Sequence, residues 1–150
     1  MFFPFRSSLS IACAAALLAV STASLAGLGG NQDTMRGDQE SLGAPFEKTV
    51  ARNFSLYALT TPDGVRVREY VKASGLVFAV AWDGPVLPDL EILLGSSFPA
   101  YREALRPRIR SIQIRQSGLV IESSGMMRAF KGRAFLADQL PSGVAAGEIQ

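Results

Sequence analysis

The feature that most restricts the fold is an unbroken run of seven apolar residues, Leu76, Val77, Phe78, Ala79, Val80, Ala81 and Trp82. Turn chemistry closes it at both ends, with Lys72-Ala73-Ser74-Gly75 before it and Asp83-Gly84-Pro85 after it. A run of this kind reads as a central strand buried on both faces, which needs a partner on each edge and cover on each side. Strict alternation puts Leu76, Phe78, Val80 and Trp82 on one face and Val77, Ala79 and Ala81 on the other. A helix can approach the small-residue face closely. The larger face then needs its own cover, expected from a second group of strands folding the sheet into a roll.

The neighbouring sequence supplies the rest of that sheet. Residues 53–60 alternate, with Phe54, Leu56 and Ala58 against Ser55, Tyr57 and Leu59. The turn Thr61-Pro62-Asp63-Gly64 follows, with Pro preset for its second position and Gly free to take positive φ. Residues 65–71 put Val65, Val67, Glu69 and Val71 on one face and Arg66, Arg68 and Tyr70 on the other. Between 88 and 105 the period changes: Leu90, Leu93, Leu94, Phe98, Tyr101 and Leu105 fall at helical spacing. Pro88 and Asp89 suit a first helical turn, while Gly95 and Pro99 interrupt, so the spacing predicts a kinked helix or two short ones, the second starting near Ser97. Strands then resume, with Gln116-Ser117-Gly118, Ser124-Gly125 and Lys131-Gly132 read as turns. The expected fold is α+β, a single domain with an antiparallel sheet of about six short strands: a three-strand meander, a kinked helix and a second three-strand meander.

Residues 1–26 read as a secretory signal peptide. Arg6 gives a charged start, residues 9–20 an apolar centre, and Ser24-Leu25-Ala26 a small-residue exit. The apolar run reaches the ~20 residues of a membrane span only if Ser21, Thr22 and Ser24 are counted in. Cleavage after Ala26 removes Cys13, the sole cysteine, and leaves no transmembrane segment. Residues 27–48 are expected to form an extended polar leader, 49–140 the α+β domain and 141–150 a tail. The expected location is outside the cytoplasm, in the periplasm or the medium.

Several blocks taken together carry a resemblance: Arg68-Glu69-Tyr70-Val71, Val77-Phe78-Ala79-Val80-Ala81-Trp82, Gly84-Pro85, Leu87-Pro88-Asp89-Leu90, Leu93-Leu94-Gly95, Gly118-Leu119-Val120, Gly125 and Met127-Arg128-Ala129-Phe130. With Leu28-Gly29-Gly30, the chain resembles a family of bacterial exported proteins catalogued as a domain of unknown function, label twenty-eight forty-four. The resemblance spans nearly the whole mature chain, and the Phe-Ala-Val-Ala-Trp block is its most specific part. It implies export and a shared fold, and it brings no activity, substrate or site residue with it.

The chemistry open to the chain is narrow. It has no His, and its one Cys lies in the expected signal, so Ser–His–Asp and Cys–His arrangements are closed to the mature protein. Soft metal ligands are missing as well, and neither a metal nor a cofactor is expected. Carboxylates Glu69, Asp83, Asp89 and Glu91 lie close in sequence around the central strand, which leaves a small carboxylate-dependent hydrolase as an alternative. Glu69, on the valine face, reads as a buried carboxylate in a structural ion pair with an Arg.

Charge is the more distinctive feature. Residues 31–100 carry six basic against nine acidic side chains, whereas 101–133 carry eight basic against two. Arg106, Arg108 and Arg110 would line one side of an extended segment, and Arg128 and Arg133 add to them, making these five the candidate ligand-binding residues. Guanidinium forks suit phosphate, sulfate and carboxylate. An exported chain with nearly balanced charge is a poor nucleic-acid binder. The expected partner is an envelope protein or an anionic envelope component, bound by a non-enzymatic binding or accessory module. An assembly protein pairing through a sheet edge is a further alternative, and a plain solvated face is the simplest account of the charges.

Overall fold

The computed structural model describes residues 27–106 and 110–150, so the expected signal peptide with Cys13, and Arg108, lie outside the described residues. Helix α1 spans Met35–Leu42, followed by strands β1 (Glu47–Val50), β2 (Ser55–Thr60), β3 (Arg66–Val71) and β4 (Val77–Gly84). Helices α2 (Leu90–Leu94) and α3 (Phe98–Ala104) lead to β5 (Ser111–Gln116), β6 (Leu119–Met126) and β7 (Ala129–Leu136). All seven strands form one antiparallel sheet in the order β1-β2-β3-β4-β7-β6-β5. The apolar run is therefore the middle strand of an α+β fold. The sheet has one strand more than expected, because β1 is exposed at all four positions and so leaves no hydrophobic pattern in the sequence.

The second group of strands does not fold over the first to make a roll. It continues the same sheet, with β7 paired to β4 from Ala79↔Phe135 to Gly84↔Phe130. The physical reason is the free edge of β4: β3 satisfies one side, and a buried strand must have its other row of N–H and C=O groups paired too.

A bulge changes which side chains of β4 share a face. The β3–β4 register passes from Tyr70↔Ala79 to Val71↔Val77 and leaves Phe78 as the extra residue. One inserted residue slips the alternation by one. Val77, Val80 and Trp82 consequently join one core cluster, and Phe78, Ala79 and Ala81 the other.

The helices cover the Trp82 face and not the alanine face. Leu90, Leu93 and Leu94 of α2 and Tyr101 of α3 pack with Val67, Val80, Trp82, Ile112 and Ile121. Asp89 N-caps α2, its Oδ1 accepting from the N–H groups of Glu91 and Ile92, and Ser97 stands at the N-cap of α3, giving the two short helices that the periodicity predicts. The segment expected as an extended leader is packed as well. Leu28, Met35 and Leu42 are buried in the same cluster, and the Leu28 N–H donates to the Leu93 carbonyl at 2.9 Å.

The alanine face is covered by the last residues of the chain. Ile149 is 0% exposed and packs with Tyr70, Phe78, Ala79, Ala81 and Phe135, alongside Leu140, Val144 and Ala146. Small Ala79 and Ala81 let an irregular backbone come close, which is why the expected tail is a cover. Polar anchors hold it: Arg133 Nη1 donates to the carbonyls of Ala146 and Ile149 at 2.8 and 3.2 Å, and the Tyr70 hydroxyl lies 3.2 Å from both the N–H and the carbonyl oxygen of Gln150.

Two glycines expected in turns lie inside strands. A Cβ at Gly132 would fall 2.3 Å from Trp82 Cζ2, and one at Gly125 would fall 2.6 Å from Phe130 Cδ1. Each glycine lets an aromatic ring lie against the neighbouring strand, a recognised use of glycine in a sheet. Of the three turns expected in the second group of strands, Ser117-Gly118 reverses the chain where expected, with φ of 47° and 77°. The β6–β7 reversal falls instead at Met127-Arg128, where Arg128 adopts φ 61°. Among the described residues, no helix is long and apolar enough to cross a membrane.

Candidate functional site

Beyond the C-terminal cover, the same face of the sheet is polar. The register aligns Arg66, Asp83, Lys131, Ser124 and Ser111 in one row across the strands, and Arg68, Ala81, Arg133, Glu122 and Gln113 in the next. Over these rows lies a depression of about 530 Å³, walled on one side by Ile149 and Gln150. A second depression of about 690 Å³ adjoins it, lined by Asp83, Arg110, Ser124, Met126, Arg128, Phe130 and Lys131 among others. The two share Asp83, Ser124 and Lys131, so together they make one groove.

At the inner end of the groove the charges are matched. Arg68 Nη2 lies 2.7 Å from Asp83 Oδ1. Arg133 directs Nε and Nη2 at Glu122 Oε2, at 2.9 and 2.7 Å, and Arg115 reaches Glu122 Oε1 at 2.9 Å. The hydrogen bond from Arg133 holds the Glu122 carboxyl below its ordinary pKa, with Arg115 adding to the effect against the opposing cost of burial. Glu122 is thus a fixed anion, suited to anchoring cations and ill suited to donating a proton.

At the outer end the charges are not matched. Among the described residues, Arg110, Arg128 and Lys131 take part in no salt bridge. They line the outer depression from three segments: the residue before β5, the β6–β7 reversal and the interior of β7. The one acid lining that end, Asp83, is already engaged by Arg68.

The five candidate arginines separate. Arg110 and Arg128 both line the outer groove. Arg133 lines the inner groove, but its guanidinium is occupied by Glu122 and the C-terminal carbonyls, which makes it an anchor. Arg106 turns back and donates to the carbonyls of Glu103 and Leu105 at the end of α3, where a cation is favoured. Arg108 lies outside the described residues.

The carboxylates grouped by sequence also separate. Glu69 is fully buried on the helix-covered face, opposite Tyr57 and Val80, and Asp89 caps α2, so only Asp83 of that group reaches the groove. Among the described residues, no three His, Cys, Asp or Glu side chains gather where a metal ion could be held.

The family model for DUF2844, described as a protein of unknown function, matches residues 24–149. The chain belongs to that family. No curated protein and no solved structure matches it. The DUF2844 match runs through every strand of the sheet and on to Ile149, so the groove and the C-terminal cover both lie within it.

Sequence reasoning missed Met126 as a contributor to this DUF2844 groove and placed Asp83 with the carboxylates rather than beside the arginines. Asp83 was read as part of a turn, although β4 continues through it to Gly84. The turn expected at Ser124-Gly125 hides Met126, which ends β6 and, with Met127, forms the tip of a hairpin. The available signal was the adjacent pair Met126-Met127 beside Arg128, two large apolar residues and a cation with no periodicity linking them to a core.

Proposed function

We propose that the protein is a non-enzymatic exported binding module that holds an anionic component of the cell envelope in the outer groove. One observation carries the reading: Arg110, Arg128 and Lys131, from separate segments, line a single depression whose acidic member is already engaged. Cations gathered without counter-charge repel one another, and an anion with phosphate, sulfate or carboxylate groups relieves that repulsion. The paired residues behind them, Arg68 with Asp83 and Arg133 with Glu122, give the site a stiff floor. The carboxylates support this reading over hydrolysis, since each one in the groove is tied to an arginine. The β1 edge gives assembly little support, because β1 is short, exposed and carries Glu47 and Lys48, features that discourage edge pairing. Export rests on the charged start, apolar centre and small-residue exit of residues 1–26.

Two measurements test this. Fractionation and mass analysis should find a product beginning near Gly27 outside the cytoplasm, and a full-length cytoplasmic protein refutes export. Titration with dextran sulfate, a soluble polyanion, should show binding that weakens steeply with salt, since surface charge is screened over ~8 Å at physiological ionic strength. Replacing Arg110, Arg128 and Lys131 together by Gln should remove most of that binding with little change in stability. Equal binding by parent and variant would show that these cations form only a solvated face.

A further inference from the structure

The β6–β7 hairpin projects past both of its neighbours in the sheet. Its pairing continues to Met126↔Ala129, whereas β4 reaches only as far as Gly84↔Phe130, and β5 begins opposite Ser124. The projecting end is apolar where a soluble hairpin is ordinarily polar: Met126 is 69% and Met127 96% exposed. It is also braced. The Phe130 ring lies against Gly125 at its base, and the Gly125 N–H donates to the Arg110 carbonyl at 2.9 Å. Arg128 sits within the reversal itself, and Arg110 and Lys131 line the depression immediately behind it.

An exposed pair of flexible thioether side chains, with three unpaired cations set just behind, has the layered chemistry of a bilayer surface. Apolar groups enter the boundary between headgroups and acyl chains, while arginine and lysine meet the phosphates. We propose that this hairpin docks the protein on an anionic phospholipid surface, with Met126 and Met127 inserted and Arg110, Arg128 and Lys131 at the headgroups. The inference rests on the anion-binding reading of the same groove and narrows its ligand to lipid. Methionine suits the role because its unbranched side chain adapts to an irregular apolar environment.

The test compares two probes on two variants. Sedimentation with extruded vesicles containing phosphatidylglycerol should bring down the parent, and vesicles of phosphatidylcholine alone should not. Each cation near the surface contributes about fivefold to vesicle partitioning, so replacing all three by Gln should lower it roughly a hundredfold. Met127→Ser, which lies outside the groove lining, should lower vesicle partitioning about tenfold, through lost apolar burial, and leave dextran sulfate affinity unchanged. Met127 is almost wholly exposed, so this variant keeps its fold, checked by circular dichroism. If the Ser variant partitions like the parent, the tip does not insert and the proposal is overturned. If the parent binds dextran sulfate but not anionic vesicles, the bilayer inference fails while the anion-binding reading stands. If it binds neither, both fall.

Discussion

The close approach of Trp82 to Gly132 is open to a quantitative test. In Gly132→Ala the new Cβ would lie 2.3 Å from Trp82 Cζ2, 2.6 Å from Cε2 and 2.8 Å from the Glu122 carbonyl oxygen. Trp82 is 1% exposed and wedged under α2, and the carbonyl belongs to the neighbouring strand, so neither obstacle can swing aside. Overpacking of a filled core costs about 1–3 kcal/mol, and contact with both ring and backbone puts this case at the upper end. Alanine recovers about 0.5–1 kcal/mol over glycine in a strand, leaving a net loss of about 2 kcal/mol. In urea, with a slope of about 2 kcal/mol/M for a domain of this size, the midpoint should fall by about 1 M. A Trp82→Phe background removes the part of the indole that reaches Gly132. There the alanine should cost at least about 1 kcal/mol less, a coupling of the size expected for residues in direct contact. A Gly132→Ala protein within about 0.5 kcal/mol of the parent, the range of an inconsequential substitution, would refute the packing argument.

Glu122 provides a pH-dependent check. Its folded-state pKa is depressed, so its contribution to stability is present above the ordinary glutamate value of about 4.3 and is lost as pH falls through the folded value. Glu122→Gln should therefore flatten the acid limb of urea stability measured between about pH 5 and 3 relative to the parent, and parallel limbs would contradict the assignment. Arg133→Gln should cost about 2–3 kcal/mol, because it removes charged hydrogen bonds to Glu122 and to two carbonyls of the C-terminal segment. Hydrogen exchange should then quicken over residues 140–150 more than in α2, and unchanged protection there would show that the segment is held by apolar contacts alone.

The elements most legible in the sequence were those with a strong period and clear ends. β4 and the two helices after it follow from an apolar run between turn residues and a stripe broken at Gly95. The faces of β4 were not legible, because a bulge is a property of the pairing between Tyr70-Val71 and Val77-Ala79, and neither strand shows it alone. Gly125 and Gly132 misled for a related reason: glycine marks either a bend or a close neighbour, and the neighbours Phe130 and Trp82 are identified only by strand register. The C-terminal cover was hidden because Val144, Ala146 and Ile149 follow no regular period. At the site, the excess of positive charge in residues 101–133 was visible, but its division was not. Whether an arginine faces an acid, a helix end or open solvent depends on contacts between distant segments: Glu122 occupies Arg133 within the inner groove, and carbonyls at the end of α3 hold Arg106 away from it.

The seam between β4 and β7 also bears on how the chain reaches this structure. The strands β1 to β4 are local in sequence and pair through short reversals, as do β5 to β7, but the two groups meet only where β4 joins β7, across both intervening helices and two strands. Closing that loop costs entropy before any contact along the seam repays it, so the central pair belongs to a late step of folding. Until then the most apolar strand in the molecule is an edge strand, its backbone row open to any other extended chain. A chain halted before β7 would present that edge permanently. The two meanders are thus not separable domains, and each depends on the other to cover the strand that begins the seam.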